Sequence, residues 1–377
     1  MKRRFSEILC FLALLQFTNP LPLLAQVSED PYWLVLEKGK QYFRNSEYGK
    51  ALNAFEDAKR KRDAVYSKMQ KDWIDFLSLN EVRALGDSLG KLELFLKDKP
   101  NKRISDIISE IKYQYKDTVI QDSSQKIIGL IDQLRIYPEA EYWIGEVYRI
   151  EGELKIALKQ YERSLSQQLA IENNGFTTVI RYKIAEMHYL LKDYLNYEKV
   201  LINILSSDTL WSADTRSQSF IRTAMFKTLT EDGINRFLVL YRYDLTDVEQ
   251  AHRKLGFYYY ATGRYDKAVE HLTYAFLIQN TLLIKEIQRR EYGFIFSDYT
   301  QLLRNLERYV DLEPFIIDID YYKTNYYLAA ALFAVGQRST AFSLWTILSK
   351  YEQAEEWQKR SQTQLKKPFI EPINQQP

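Results

Sequence analysis

Cysteine, histidine and proline are scarce in this sequence of 377 residues, and each scarcity excludes a class of structure or site. The single cysteine, Cys10, can form neither an internal disulfide nor a thiolate metal cluster. Three histidines argue against a multi-histidine metal site. Only Pro100, Pro138 and Pro314 lie between residues 32 and 367, so we expect long uninterrupted helices there.

An excess of charge of either sign is also missing. Lysine and arginine total 52 against 50 acidic residues, a formal net charge of +2. Proteins that bind nucleic acid electrostatically usually present a basic surface, so we expect no nucleic-acid partner, although an RNA-binding helical repeat is kept as a rival. With 46% hydrophobic and 27% charged residues, the composition is that of a folded globular protein.

The N-terminus has the pattern of a secretory signal peptide. Basic residues at positions 2–4 precede an apolar run over residues 8–17, which Pro20 and Pro22 then interrupt. The run is too short to span a bilayer, which needs about 20 residues. We predict a signal peptide over residues 1–25, cleavage after Ala25, export to the periplasm or beyond, and no membrane span afterwards. An uncleaved anchor is the alternative.

Small and aromatic residues recur in the chain at relative positions 0, 3, 12, 16 and 19. The clear copies are Gly39, Tyr42, Ala51, Phe55 and Ala58; Gly145, Tyr148, Ala157, Tyr161 and Ser164; and Gly256, Tyr259, Ala268, Leu272 and Ala275. Looser copies begin at Ala185 and Ala329. A second glycine follows seven residues after the first position at Gly152, Gly263 and Gly336, as expected for the turn between paired helices.

The first glycine of each clear copy lies inside a helical pattern, where it costs about 1 kcal/mol relative to alanine. Close packing of two helices would compensate for this cost. We therefore predict that the paired helices approach closely at Gly39 and Ala51, Gly145 and Ala157, and Gly256 and Ala268.

These spaced residues resemble the tetratricopeptide repeat, a 34-residue helix-turn-helix unit. The resemblance implies an all-α fold, a right-handed α–α superhelix. It places one clear unit at residues 31–65 within an N-terminal helical region (26–135), and the main array at residues 136–360. Residues 211–241 and 281–310 are expected to be degenerate helix pairs. The tail, 361–377, carries three prolines and is expected to be disordered.

Tetratricopeptide-like proteins usually bind extended peptides or a partner's helix in a concave groove lined by the first helix of each pair. If that geometry holds here, the groove carries aromatic residues with scattered arginine, a composition enriched at binding hot spots. The implied groove residues are Tyr142, Arg149, Tyr182, Tyr189, Arg253, Phe257, Tyr260, Tyr326 and Phe333. Each of these side chains has the alternative of packing between neighbouring repeats.

A possible catalytic motif competes with this interpretation. Residues 86–90 read Gly-Asp-Ser-Leu-Gly, the G-x-S-x-G pattern of a nucleophilic serine, so a serine esterase using Ser88 is the alternative function. The preceding residues indicate a helix instead of the required strand, and the three histidines lie in repeat helices. We therefore expect no catalytic residue, cofactor or metal.

The sequence thus predicts a non-enzymatic scaffold or adaptor of the cell envelope that binds an envelope protein or a peptide segment. By analogy alone, suitable contexts are a periplasmic flagellar collar or an outer-membrane assembly complex.

Overall fold

The structure is a computed structural model that describes residues 30–79, 128, 129, 131–166, 174–206, 208, 211 and 216–373. Within these ranges the chain forms helices and contains no β-strand. It divides into two compact units, Met1–Glu151 and Gly152–Pro377. None of the described helices combines the length and apolar character needed to cross a membrane. The predicted signal peptide and the Ser88 motif lie outside the described residues.

In the first unit a helix pair packs with a third helix. The helices are α1 (Tyr32–Arg44), α2 (Tyr48–Leu79) and α3 (Pro138–Ile150). Their shared core contains Leu36, Phe55 and Ile144. Arg62 is buried against this core. Its Nε donates a 2.8 Å hydrogen bond to the carbonyl of Leu134, which satisfies one of its buried donors.

The second unit continues as successive helices with short connections. The helices are α4 (Leu154–Ser166), α5 (Asn174–Leu190), α6 (Tyr194–Leu205), α7 (Arg216–Lys227), α8 (Ile234–Leu240), α9 (Glu249–Ala261), α10 (Tyr265–Arg290), α11 (Tyr299–Arg308), α12 (Glu313–Asp318), α13 (Tyr321–Ala334), α14 (Arg338–Leu348) and α15 (Glu356–Lys366). A π-helical turn, Thr228–Asp232, links α7 to α8. The most extensive packing within this unit joins α9 to α10, α13 to α14, and α10 to α13, followed by α5 to α6.

Four of the helix pairs share one turn geometry. A residue with positive φ ends the first helix, and its N–H donates to the carbonyl of the residue three positions before it. The N–H of the following residue donates to the carbonyl five positions before that residue. The N···O distances are 2.8–3.1 Å. This is a Schellman C-cap. The positive-φ residues are Ser46, Lys192, Gly263 and Gly336, at the same position of four repeats. Helix pairs at the predicted repeat spacing are therefore confirmed.

The first glycine of the repeat lies where two helices touch. A Cβ atom on Gly39 would lie 2.5 Å from Cε1 of Phe55, and one on Gly256 would lie 2.5 Å from Cγ of Leu272. The alanines at the opposing position, Ala51, Ala157 and Ala268, are fully buried. Glycine thus allows an approach that any larger residue would prevent.

Two regions differ from the sequence-based expectation. Helix α10 continues to Arg290, so residues 281–310 form the end of one long helix, a loop and α11, instead of a separate helix pair. Polar side chains in the second half of α10 bind neighbouring helices; for example, Tyr321 donates a 2.8 Å hydrogen bond to buried Asn280. Helix α15 extends to Lys366 and the chain beyond it makes defined contacts, which corrects the expectation of disorder for residues 361–373.

Candidate protein-binding site

Three of the expected groove residues link α9 to the next first helix, α13. Arg253 on α9 forms a 3.0 Å bond to Glu249 and a further ion pair with Asp320, which directly precedes α13. Phe257 lies beneath the ammonium group of Lys323, with 4.7 Å between the nitrogen and the ring centre. All of these side chains except Asp320 are buried.

The ring of Tyr260, the third of these residues, packs edge-on against Tyr327 of α13. Arg253, Phe257 and Tyr260 are therefore buried against the neighbouring repeat, and Tyr260 also contacts the chain after α15. Large side chains at these positions fill the space between the first helices. Replacing Arg253 by glutamate would consequently destabilise the fold through buried like charges instead of acting on binding alone.

Tyr182 also links two repeats through hydrogen bonds. Its hydroxyl donates a 2.7 Å hydrogen bond to the carbonyl of Asp247 and accepts a 3.0 Å bond from the amide of Ala251. Burial raises the pKa of Tyr182, so the hydroxyl stays protonated and able to donate. This residue therefore orients α5 against the start of α9.

Four of the other expected groove residues are partly accessible, whereas Tyr326 is buried. Tyr189 packs against the rings of Tyr194 and Tyr197, and Phe333 packs against Trp345, but each keeps part of its surface exposed. Tyr142 and Arg149 in the first unit are likewise half-buried. Arg149 forms a 2.8 Å ion pair with Glu146.

The face formed by α9, α13 and α15 holds the C-terminal segment (residues 367–373), which is not helical. Tyr260 on α9 donates a 2.8 Å hydrogen bond to the carbonyl of Glu371. On α15, Gln364 accepts a 2.9 Å bond from the amide of Phe369. Two contacts are thus made to the main chain of the segment. Such contacts do not depend on the identity of the side chains that the segment carries.

The side chain of Glu371 is bound as well. Arg360 on α15 donates to one carboxylate oxygen through Nη2 at 2.7 Å and Nε at 3.1 Å. The hydroxyl of Tyr326, on α13, donates to the other oxygen. Burial and the nearby carboxylate raise the pKa of Tyr326, so its hydroxyl is a donor. Both carboxylate oxygens of Glu371 therefore accept hydrogen bonds from residues on α13 and α15.

Arg360 is held in place by aromatic rings. Its guanidinium carbon lies 4.6 Å from the ring centre of Trp357, 5.1 Å from that of Tyr326 and 5.7 Å from that of Tyr327. Its Nη2 also donates a 3.1 Å bond to the hydroxyl of Tyr327. Stacking on rings fixes the plane of an arginine, so the donors are pre-aligned for a carboxylate.

These residues together define the tail site, which combines groove residues predicted from the sequence with residues of α15 that the repeat pattern did not reveal. Its members are Tyr260, Tyr326, Tyr327, Trp357, Arg360 and Gln364. The three members on α15 have relative positions 0, 3 and 7, the spacing of one helix face, which was the available signal.

A second polar cluster is fully enclosed between α9 and α10. Nδ1 of His252 lies 3.1 Å from Nδ1 of His271, and Nε2 of His252 lies 3.5 Å from Asp208. Tyr243 donates to the same carboxylate. Desolvation lowers the pKa of both histidines, and that of His271 falls well below its usual value. Among the described residues, no three acidic, histidine or cysteine side chains lie close enough to hold a metal ion.

Comparison with known proteins finds similarity in sequence to one protein and in structure to a helical repeat domain. No family model matches the chain. The chain is 23% identical over 340 residues to an uncharacterized protein of Treponema pallidum (strain Nichols), covering 89% of this chain and 90% of that protein. The crystal structure of the P58(IPK) tetratricopeptide domain covers 89% of this chain and 98% of its own, with 13% identity and a TM-score of 0.20. At that score the superposition carries no weight, and the fold assignment rests on the helix pairs.

Proposed function

We propose that this protein is a non-enzymatic scaffold that binds a partner protein on its second unit. The binding surface is the face formed by α9, α13 and α15, here called the first-helix face. The observation that carries the proposal is the occupation of this face by an extended chain segment. Tyr260 and Gln364 bond to the main chain of that segment, and Arg360 binds its glutamate. Recognition of an extended peptide combines main-chain bonds with a specific side-chain contact in the same way.

The cell envelope is the proposed location. Export is supported by the basic residues at positions 2–4, by the apolar run over residues 8–17 and by Ala25, a small residue at the predicted cleavage position. Without residues 1–25 the chain has no cysteine, which suits an oxidising compartment. Sequencing the N-terminus of the protein isolated from its native cells tests this part. A start at Gln26 in the envelope fraction is expected, and a retained Met1 in the cytosol would contradict it.

Site-specific photo-crosslinking tests binding on the first-helix face. A benzophenone amino acid replaces Tyr189 or Phe333, which are partly exposed and lie on the first helices α5 and α13, and in a matched control it replaces the fully exposed Tyr292, in the loop after α10. With native envelope extract we expect a discrete cross-linked partner from the first two positions and none from the third. Equal labelling at all three positions, or no labelling at any, would contradict the proposal.

A further inference from the structure

The C-terminal segment has the features of a bound ligand more than of a core element. Its residues Phe369 and Ile370 keep 44% and 47% of their surface exposed although they are large and apolar. Pro368 and Pro372 prevent it from extending α15 as a helix. It is attached by a few hydrogen bonds, one ion pair and the partly buried side chain of Ile373, which packs against the core, and another chain of the same chemistry could replace these contacts.

The tail site is largely built without the segment. Trp357, Tyr326 and Tyr327 surround the Arg360 guanidinium, and Gln364 donates a 3.1 Å bond to the hydroxyl of Tyr326. All of these residues lie on α13 and α15. Removing Glu371 would leave aligned donors facing a partly buried space, which is an arrangement suited to a carboxylate.

We propose that the C-terminal segment is a displaceable internal ligand, and that an extended partner segment carrying a glutamate takes its place in the tail site. The proposal rests on the proposed function and names both the chemistry of the partner and the regulation of the face. A tethered segment has a high effective concentration, on the order of millimolar for a short linker, so it excludes weak competitors. To displace the segment, a partner must therefore be present above that effective concentration or make more contacts with the site than the segment does.

The first experiment measures binding of a fluorescein-labelled peptide with the sequence of residues 366–373 to the full-length mature protein by anisotropy. In the Glu371→Ala protein the internal competitor is weakened, so we expect the peptide to bind at least about tenfold more tightly than to the wild type. A peptide with alanine in place of its glutamate should bind at least about tenfold more weakly. Glu352→Ala, which removes an exposed carboxylate, is the matched control and should bind like the wild type.

A second variant locates the peptide. Combining Glu371→Ala with Arg360→Met keeps an apolar stem among the rings but removes the guanidinium donors, so the gain in peptide affinity should be lost. Circular dichroism of each variant checks the helical content. Equal affinity of the wild-type and Glu371→Ala proteins for the peptide, with helical content unchanged, would overturn the proposal and identify the segment as a fixed part of the fold.

The unmodified protein gives an independent test if the variants fold poorly. Excess unlabelled peptide should increase hydrogen exchange at the amide of Phe369, because displacement exposes that amide to water, while exchange in α10 stays unchanged. No change at saturating peptide would overturn the proposal. A partner cross-linked at residues 189 and 333 without peptide binding refutes only this inference, whereas peptide binding without any cross-linked partner refutes only the proposed scaffold function.

Discussion

At the residue scale, glycine at the first repeat position is required by the distance between helices. The space at Gly256 is closed by the buried side chain of Leu272, and its backbone nitrogen lies 3.3 Å from a Cβ built there. We expect Gly256→Leu to lower the free energy of unfolding by about 1–3 kcal/mol through overpacking. Urea unfolding followed by circular dichroism measures the change.

Gly49 provides the matched control for this substitution. It also lies in a helix, but a Cβ there meets nothing within 4 Å. Gly49→Leu should therefore be neutral or stabilising, because leucine has the higher helix propensity. If Gly256→Leu unfolded at the same urea concentration as the parent and Gly49→Leu, the repeat alignment would be wrong at this position.

The turn position between paired helices gives a second prediction for single residues. Lys192 adopts φ 59° and Gly263 adopts φ 74° in equivalent turns. A side chain is unfavourable in this left-handed region, so Lys192→Gly should stabilise the protein by about 0.5–1 kcal/mol. Gly263→Ala should destabilise it by about 1 kcal/mol. Thermal denaturation of both variants measures the effects; two shifts of the same sign would contradict the shared turn geometry.

At the scale of elements, the contact between α9 and α10 includes two buried histidines. Nδ1 atoms 3.1 Å apart are satisfied when one ring donates and the other accepts. Desolvation disfavours a charged ring here, and protonation of both rings would place two N–H donors against each other. The charged and titratable groups facing the pair are Asp208, Tyr243, Tyr259, Lys267 and Tyr274. The interface therefore favours neutral imidazoles.

Acidification should weaken this interface. A histidine whose folded pKa lies below its unfolded value of about 6.5 contributes stability that is complete above pH 6.5 and is lost as the pH falls towards the folded pKa. The free energy of unfolding should therefore be lower at pH 5.5 than at pH 7.5, with His271 contributing to the loss. Urea unfolding at pH 7.5 and 5.5 checks this, with His271→Gln as the comparison. An equal pH dependence in the variant and the wild type would refute the role of this residue.

The pairing of elements could be predicted from the sequence, but the composition of the binding face could not. Gly39 and Gly256 identified the helix contacts because only a residue without a side chain fits at so short a distance. The position of Phe257 on its helix was also predictable, yet its burial depends on Lys323 in a later repeat. The order of the C-terminal segment likewise depends on the ion pair between Arg360 and Glu371, which no local pattern of prolines reveals.

At the scale of the whole molecule, each of the two compact units has its own hydrophobic core. The core of the first contains Phe55 and Ile144, and the core of the second is centred on residues such as Leu272 and Tyr326. In repeat proteins stability is approximately a sum of local terms and nearest-neighbour contacts. A substitution in one core should therefore loosen its own unit before the other.

Hydrogen exchange with peptide resolution tests this independence by a reciprocal pair of variants. Gly39→Leu should increase exchange in α1 and α2 and leave α9 and α10 unchanged, because its clash is with Phe55. Gly256→Leu should give the opposite pattern through its clash with Leu272. Local opening reports the stability of each cooperative segment separately. Increased exchange in both units from either substitution would mean that the chain opens as a single cooperative body and that stability is not local in this array.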